Sequence, residues 1–72
     1  MVRTVIGIEG MACGMCEAHV ADAIRRAFPV KKAKASRRKG SCEIISEQPL
    51  DEAALRETIV ATGYEMTTFA QL

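Results

Sequence analysis

The spacing of hydrophobic residues changes along the chain, and each change marks a predicted element. Residues 2–8 carry β-branched side chains at alternate positions, which predicts a strand. From about Met15 the apolar positions recur at helical spacing instead, and Pro29 ends this helix because it cannot continue the hydrogen-bond ladder. The apolar positions of the predicted helix are Cys16, Val20, Ile24, Ala27 and Phe28.

The middle of the chain predicts an antiparallel hairpin. Val30–Ser36 alternates alanine with lysine, and Ser41–Ser46 places Cys42 and Ile44 on one face. The four residues 37–40 between them are charged and end in glycine, as expected for a turn.

The remaining sequence predicts a second helix over residues 49–63 and a short strand over residues 64–69. Asp51 is a candidate N-cap, Leu55 and Ile59 share an apolar face, and Gly63 suits a left-handed C-cap. The order βαββαβ predicts an α+β, ferredoxin-like sandwich, in which two helices cover one face of a four-stranded antiparallel sheet. Residues 1–72 are expected to form this single domain.

This topology predicts that three connections meet at one end of the sandwich. They are the loop after the first strand, the turn at residues 37–40, and the turn at Gly63 and Tyr64. Any site built around the first loop would therefore be surrounded by the other two.

Composition and charge exclude several functions. The chain has 72 residues with a net charge of +1, which argues against nucleic-acid binding. No apolar run approaches the roughly 20 residues needed to span a bilayer, and the N-terminus does not resemble a secretory signal, so cytosol is the expected location. Three cysteines fit a disulfide framework poorly and point to metal or redox chemistry.

Cys13 and Cys16 lie at the predicted junction of loop and helix, where the helix N-terminus favours thiolates. Three chemistries are open to such a pair. Structural zinc would need two further ligands, with His19 and Cys42 as candidates. A thiol-disulfide oxidoreductase would use the pair alone, and Cu(I), a soft ion, is well served by two thiolates.

The stretch Gly10-Met11-Ala12-Cys13-Gly14-Met15-Cys16 resembles the G-M-x-C-x-x-C metal loop of the heavy-metal-associated domain family. That family has a βαββαβ fold and includes small copper chaperones and the N-terminal modules of copper-transporting P-type ATPases. The resemblance extends to the turn at Gly63 and Tyr64, which is similar to that of bacterial copper chaperones.

The resemblance implies a Cu(I) site with Cys13 and Cys16 as its ligands. Met11 would anchor the loop on the core, and Tyr64 would lie near the metal. Ala12, where zinc- and cadmium-binding relatives often carry an acidic residue, favours a monovalent ion, although mercury-binding relatives share the loop closely. His19 is either a solvated side chain or an auxiliary metal ligand. Cys42 is either a buried hydrophobic residue or an auxiliary metal ligand.

The predicted function is a non-enzymatic, cytosolic Cu(I) metallochaperone that transfers copper by thiolate exchange. The resemblance implies a copper-transporting P-type ATPase as partner, with a copper-responsive repressor as a further candidate, and a monomer or a copper-bridged homodimer. A basic segment is a candidate docking surface for an acidic partner; it contains Lys31, Lys32, Lys34, Arg37, Arg38 and Lys39. Met1 and the compact ends favour a free-standing protein over a module cut from an ATPase.

Overall fold

The computed structural model describes residues 1–11 and 14–72 and contains the predicted elements in the predicted order. Within these residues, four strands form one antiparallel sheet in the order β2-β3-β1-β4, and two helices pack on one of its faces. The prediction of an α+β, ferredoxin-like βαββαβ sandwich is confirmed. The bounds are β1 Val2–Glu9, α1 Gly14–Ala27, β2 Val30–Ser36, β3 Ser41–Ser46, α2 Glu52–Ala61 and β4 Glu65–Gln71.

The core lies between the helices and the covered face of the sheet. Alternate residues of β1, including Ile6 and Ile8, point into it, and Val20 and Ile24 reach it from α1. The expectation that Ala27 belongs to the apolar face of α1 is wrong, because Ala27 is exposed in the last turn. Ala21, adjacent to Val20, is buried in the core instead.

The second helix is shorter than predicted. It begins at Glu52, because the carboxylate of Asp51 accepts the backbone N–H of Ala54 at 3.0 Å and so caps the helix there. Pro49 therefore precedes the helix. The predicted N-cap is confirmed, and Gly63 has the predicted positive φ of 97° just after the helix.

The last strand is also displaced from its prediction, since it begins at Glu65 and extends to Gln71. Pairing with β1 continues as far as Thr4 opposite Gln71, and this pairing extends the strand beyond Phe69. Among the described residues, no helix is both long and apolar enough to cross a membrane.

The three connections expected at one end of the sandwich do meet there. Ile8, near the end of β1, donates its backbone N–H to the carbonyl of Gly40 in the hairpin turn at 2.7 Å. On the other side of β1, Glu9 pairs with Glu65 at the start of β4. The end of β1 therefore lies between the hairpin turn and the turn that precedes β4.

Candidate metal centre

Cys16 lies in the first turn of α1, which begins at Gly14, directly after the loop that carries the cysteine motif. Its side chain is half-buried, so the sulfur is near the surface at the end of the sandwich. Cys13 and Ala12 lie outside the described residues, and the pairing of Cys13 with Cys16 stays a prediction. A position at the start of a helix favours a negatively charged thiolate, the form that binds metal.

The strand side of the loop packs closely against Tyr64. Gly10 has a φ of 103°, and a methyl group added there would lie 3.2 Å from Cδ1 of Tyr64. The positive φ strongly favours glycine at this position, and a side chain there would also press against the ring of Tyr64. Tyr64 and Met11 are half-buried and pack against the core, which places both beside the loop.

Glu17, next to Cys16, is a contact residue at this end that the sequence did not single out. Its Oε2 accepts the backbone N–H of Arg37, in the hairpin turn, at 2.7 Å. An acidic residue in the first turn of a helix is favourable by itself, so the sequence position alone gives no sign of this contact.

Cys42 is fully buried on β3, where it shares the core face with Ile44 as its alternation predicts. It lies opposite Ile6, three residues before the end of β1. Burial raises the pKa of the Cys42 thiol from 9.0 to about 11, while the backbone of Lys34 and the charge of Arg25 act in the opposite direction. The protonated thiol is therefore strongly favoured in the folded protein.

The pKa of Cys42 predicts that the folded protein loses stability in alkaline solution. Because the folded-state pKa is raised, the contribution of the thiol is fully present below pH 9.0 and is lost as the pH rises towards about 11. We expect a loss on the order of 2–3 kcal/mol from this group. Urea unfolding of the wild type and of Cys42→Ala across that pH range measures this loss. The same change in the free energy of unfolding with pH in both proteins would contradict the prediction.

The candidate auxiliary ligand His19 lies three residues after Cys16 on the same helix. His19 is exposed on α1, and Met15 is 74% exposed in the first turn of the same helix. Within residues 1–11 and 14–72, no group of three or more histidine, cysteine, aspartate or glutamate residues is arranged to hold a metal ion. The auxiliary roles weighed for His19 and Cys42 stay predictions.

The basic segment of the sequence extends from one end of the sheet to the other, and Lys34 and the turn residue Lys39 line the same groove. Lys31 forms an ion pair with Glu47 at 3.4 Å, at the end of the sheet opposite Cys16. Lys34 lines a groove on the uncovered face of the sheet. The turn residues of this segment, exposed at the same end as Cys16, are Arg37, Arg38 and Lys39.

Comparison with solved structures finds the same fold in other proteins. The chain is similar to the CopZ metallochaperone, with a TM-score of 0.79 and 21% identity, over 90% of this chain and 98% of that chain. A copper binding domain from HMA7, a P-type ATPase, matches with a TM-score of 0.80 and 23% identity, over 100% of this chain and 95% of that chain. The N-terminal domain of ZntA in its Zn(II) form matches with a TM-score of 0.80 and 18% identity, over 92% of this chain and 89% of that chain.

Sequence comparison gives a partial match. The chain is 33% identical over 64 residues to a mercuric reductase of Shigella flexneri, a region that covers 89% of this chain and 11% of that protein. The chain therefore spans only about a tenth of the length of this relative. No family model matches the chain.

Taken together, these matches show that the chain has the fold of a metallochaperone and of copper- and zinc-binding domains. The resemblance predicted from the G-M-x-C-x-x-C stretch is confirmed at the level of fold.

Proposed function

We propose that the chain is a heavy-metal-associated domain that binds Cu(I) through Cys13 and Cys16 and delivers it to another protein without catalysing a reaction. The observation that carries this proposal is the position of Cys16. It is half-buried in the first turn of α1, where three connections meet, and a second cysteine lies three residues before it in the sequence. The similarity of the fold to CopZ and to the copper binding domain of HMA7 supports the same assignment.

A two-thiolate site suits transfer better than storage. Cu(I) is soft and accepts low coordination numbers, so a site with two sulfur ligands has room for a third. A cysteine of the partner enters as that third ligand, one of the original sulfurs leaves, and the ion moves in steps. Metal binding displaces the protons of the two thiols, and no oxidation or reduction is needed.

Hg(II) is a second candidate cargo, because the chain is similar to part of a mercuric reductase. Mercury is also a soft ion that thiolates bind well. Zinc usually takes four ligands, two more than Cys13 and Cys16 would supply.

Metal loading of the reduced protein tests this proposal. We expect one Cu(I) ion per chain to be retained against a chromogenic Cu(I) chelator, with little retention of Zn(II) under the same conditions. The same retention measurement with Hg(II) in place of Cu(I) tests mercury as the second candidate cargo. A disulfide-reduction assay on the same preparation tests the alternative of a thiol-disulfide oxidoreductase. Weak copper retention with efficient disulfide reduction would overturn the proposal.

The partner we propose is a protein that presents its own Cys-x-x-Cys site, such as the metal-binding domain of a copper-transporting P-type ATPase. A copper-responsive repressor is a further candidate for the same exchange. Both would be met in the cytoplasm, where thiols stay reduced. The exposed residues of the hairpin turn give the metal end a positive edge, which favours a partner with an acidic surface.

Electrostatic docking predicts that transfer slows as salt is added. We expect the rate of Cu(I) transfer to an acidic partner domain to fall by about tenfold or more from low to high ionic strength, because salt screens the attraction of exposed charges. Arg37→Gln with Arg38→Gln should weaken this dependence. Lys31→Gln, at the far end of the sheet, is the matched control. A transfer rate that salt does not change would count against docking through the turn.

A further inference from the structure

The hairpin turn, residues 37–40, is hydrogen-bonded to both flanks of the loop that carries the cysteine motif. On the strand side, the backbone N–H of Ile8 donates to the carbonyl of Gly40 at 2.7 Å. On the helix side, Oε2 of Glu17 accepts the backbone N–H of Arg37, also at 2.7 Å. Ile8 precedes the loop and Glu17 directly follows Cys16, so the two bonds lie on either side of the motif.

These two bonds depend on the sequence in different ways. The bond between Ile8 and Gly40 joins two backbones next to the pairing of β1 with β3, so it does not depend on either side chain. The bond from Arg37 needs a side-chain acceptor of the right length at position 17. In the part of the chain that the structure describes, the carboxylate of Glu17 forms no ion pair, and it makes this solvent-exposed hydrogen bond.

We propose that Glu17 is a positioning residue that fastens the first turn of α1, and with it Cys16, to the hairpin. The inference rests on the proposed function, since it concerns the same site. A helix start is otherwise free to fray, because its first N–H groups have no partners within the helix. Glu17 opposes fraying by attaching the first turn to a hairpin that is itself hydrogen-bonded to β1.

The expected consequence for the metal is slower dissociation from the site. A fixed first turn holds the sulfur of Cys16 in place, so the ion leaves or is exchanged less often than it would from a mobile turn. Loss of the bond should speed the release of Cu(I) by roughly threefold to tenfold, the range that one hydrogen bond of ordinary net strength gives. The bond also connects the exposed arginines of the turn to the helix that carries Cys16, so a partner bound at the turn is held in a fixed position relative to the metal.

Two variants separate the hydrogen bond from the charge. Glu17→Ala removes the acceptor, whereas Glu17→Gln keeps an acceptor oxygen of similar reach and removes the negative charge. Glu47→Ala is the matched control, because it removes an exposed carboxylate at the opposite end of the sheet. Circular dichroism and thermal unfolding establish that all three variants fold.

The first measurement is hydrogen exchange at the Arg37 amide in the metal-free protein, and the second is the rate of Cu(I) release to a chromogenic chelator. We expect Glu17→Ala to lose protection at Arg37 and to release Cu(I) threefold to tenfold faster, with Glu17→Gln and Glu47→Ala close to the wild type in both measurements.

Three other results would overturn the inference. Unchanged protection of Arg37 in Glu17→Ala would show that the bond does not hold the turn. Lost protection with an unchanged release rate would show that the bond does not position the metal. Equal effects of Ala and Gln at position 17 would assign the role to charge. A wild type that retains no Cu(I) refutes the proposed function instead, and the exchange measurement still decides whether Glu17 holds the turn.

Discussion

Replacing Cys16 with serine is expected to lower the affinity for Cu(I) by more than about a hundredfold. Loss of an outer partner that only orients a metal ligand costs roughly 10- to 100-fold, and removal of a ligand should cost more. Serine offers a hard oxygen, which is a poor ligand for a soft ion. Competition with a Cu(I) chelator measures the effect, and Cys13→Ser should behave in the same way.

Cys42→Ala is the control for this experiment. Cys42 is fully buried, and burial raises the pKa of its thiol, so its removal should leave the affinity for the first Cu(I) ion unchanged. Wild-type affinity in Cys16→Ser would exclude Cys16 as a ligand. A large loss of affinity in a folded Cys42→Ala protein would bring Cys42 into the site.

Replacing Ile6 with alanine is expected to lower the free energy of unfolding by about 2–5 kcal/mol. Ile6 is fully buried on the central strand β1, between Cys42 on β3 and Phe69 on β4. A chain of 72 residues has a total stability of only about 4–11 kcal/mol by the usual value per residue. Urea unfolding should therefore show a protein close to the limit of folding.

Two milder substitutions test whether packing is the cause. Ile6→Val removes one methylene group and should cost about 0.5–1.5 kcal/mol. Val5→Ala, at the neighbouring half-buried position on the other face of the sheet, should cost less than Ile6→Ala. Equal losses for Ile6→Ala and Val5→Ala would mean that the core between sheet and helices is not what holds the domain together.

Much of the fold follows from the sequence because the elements are short and their periods are clear. The alternation around Ile6 and Ile44 identifies strands and their buried faces, and the β2–β3 hairpin has the predicted bounds. The start of α2 is the exception, because the helix is predicted from residue 49 although the candidate N-cap Asp51 already places its start at Glu52. Pro49 is acceptable near the start of a helix, but the capping bond between Asp51 and Ala54 confirms that the helix begins after Asp51.

The candidate site is predictable to a lesser extent. The topology rule brings the turn at Tyr64 and the hairpin turn to the end where Cys16 lies, and the structure places them there. The contact of Glu17 with Arg37 could not be predicted, because the donor is a backbone N–H twenty residues away. Every non-proline residue has such a donor, so the sequence at position 37 gives no sign of the bond.

The position of β2 at the edge of the sheet has a consequence for aggregation. An edge strand presents unpaired backbone groups to which a strand of another chain can add. This edge carries exposed lysines at positions 31, 32 and 34, and its pairing with β3 is irregular between Val30 and Lys32. Charge and irregular geometry both discourage growth of the sheet into a fibre.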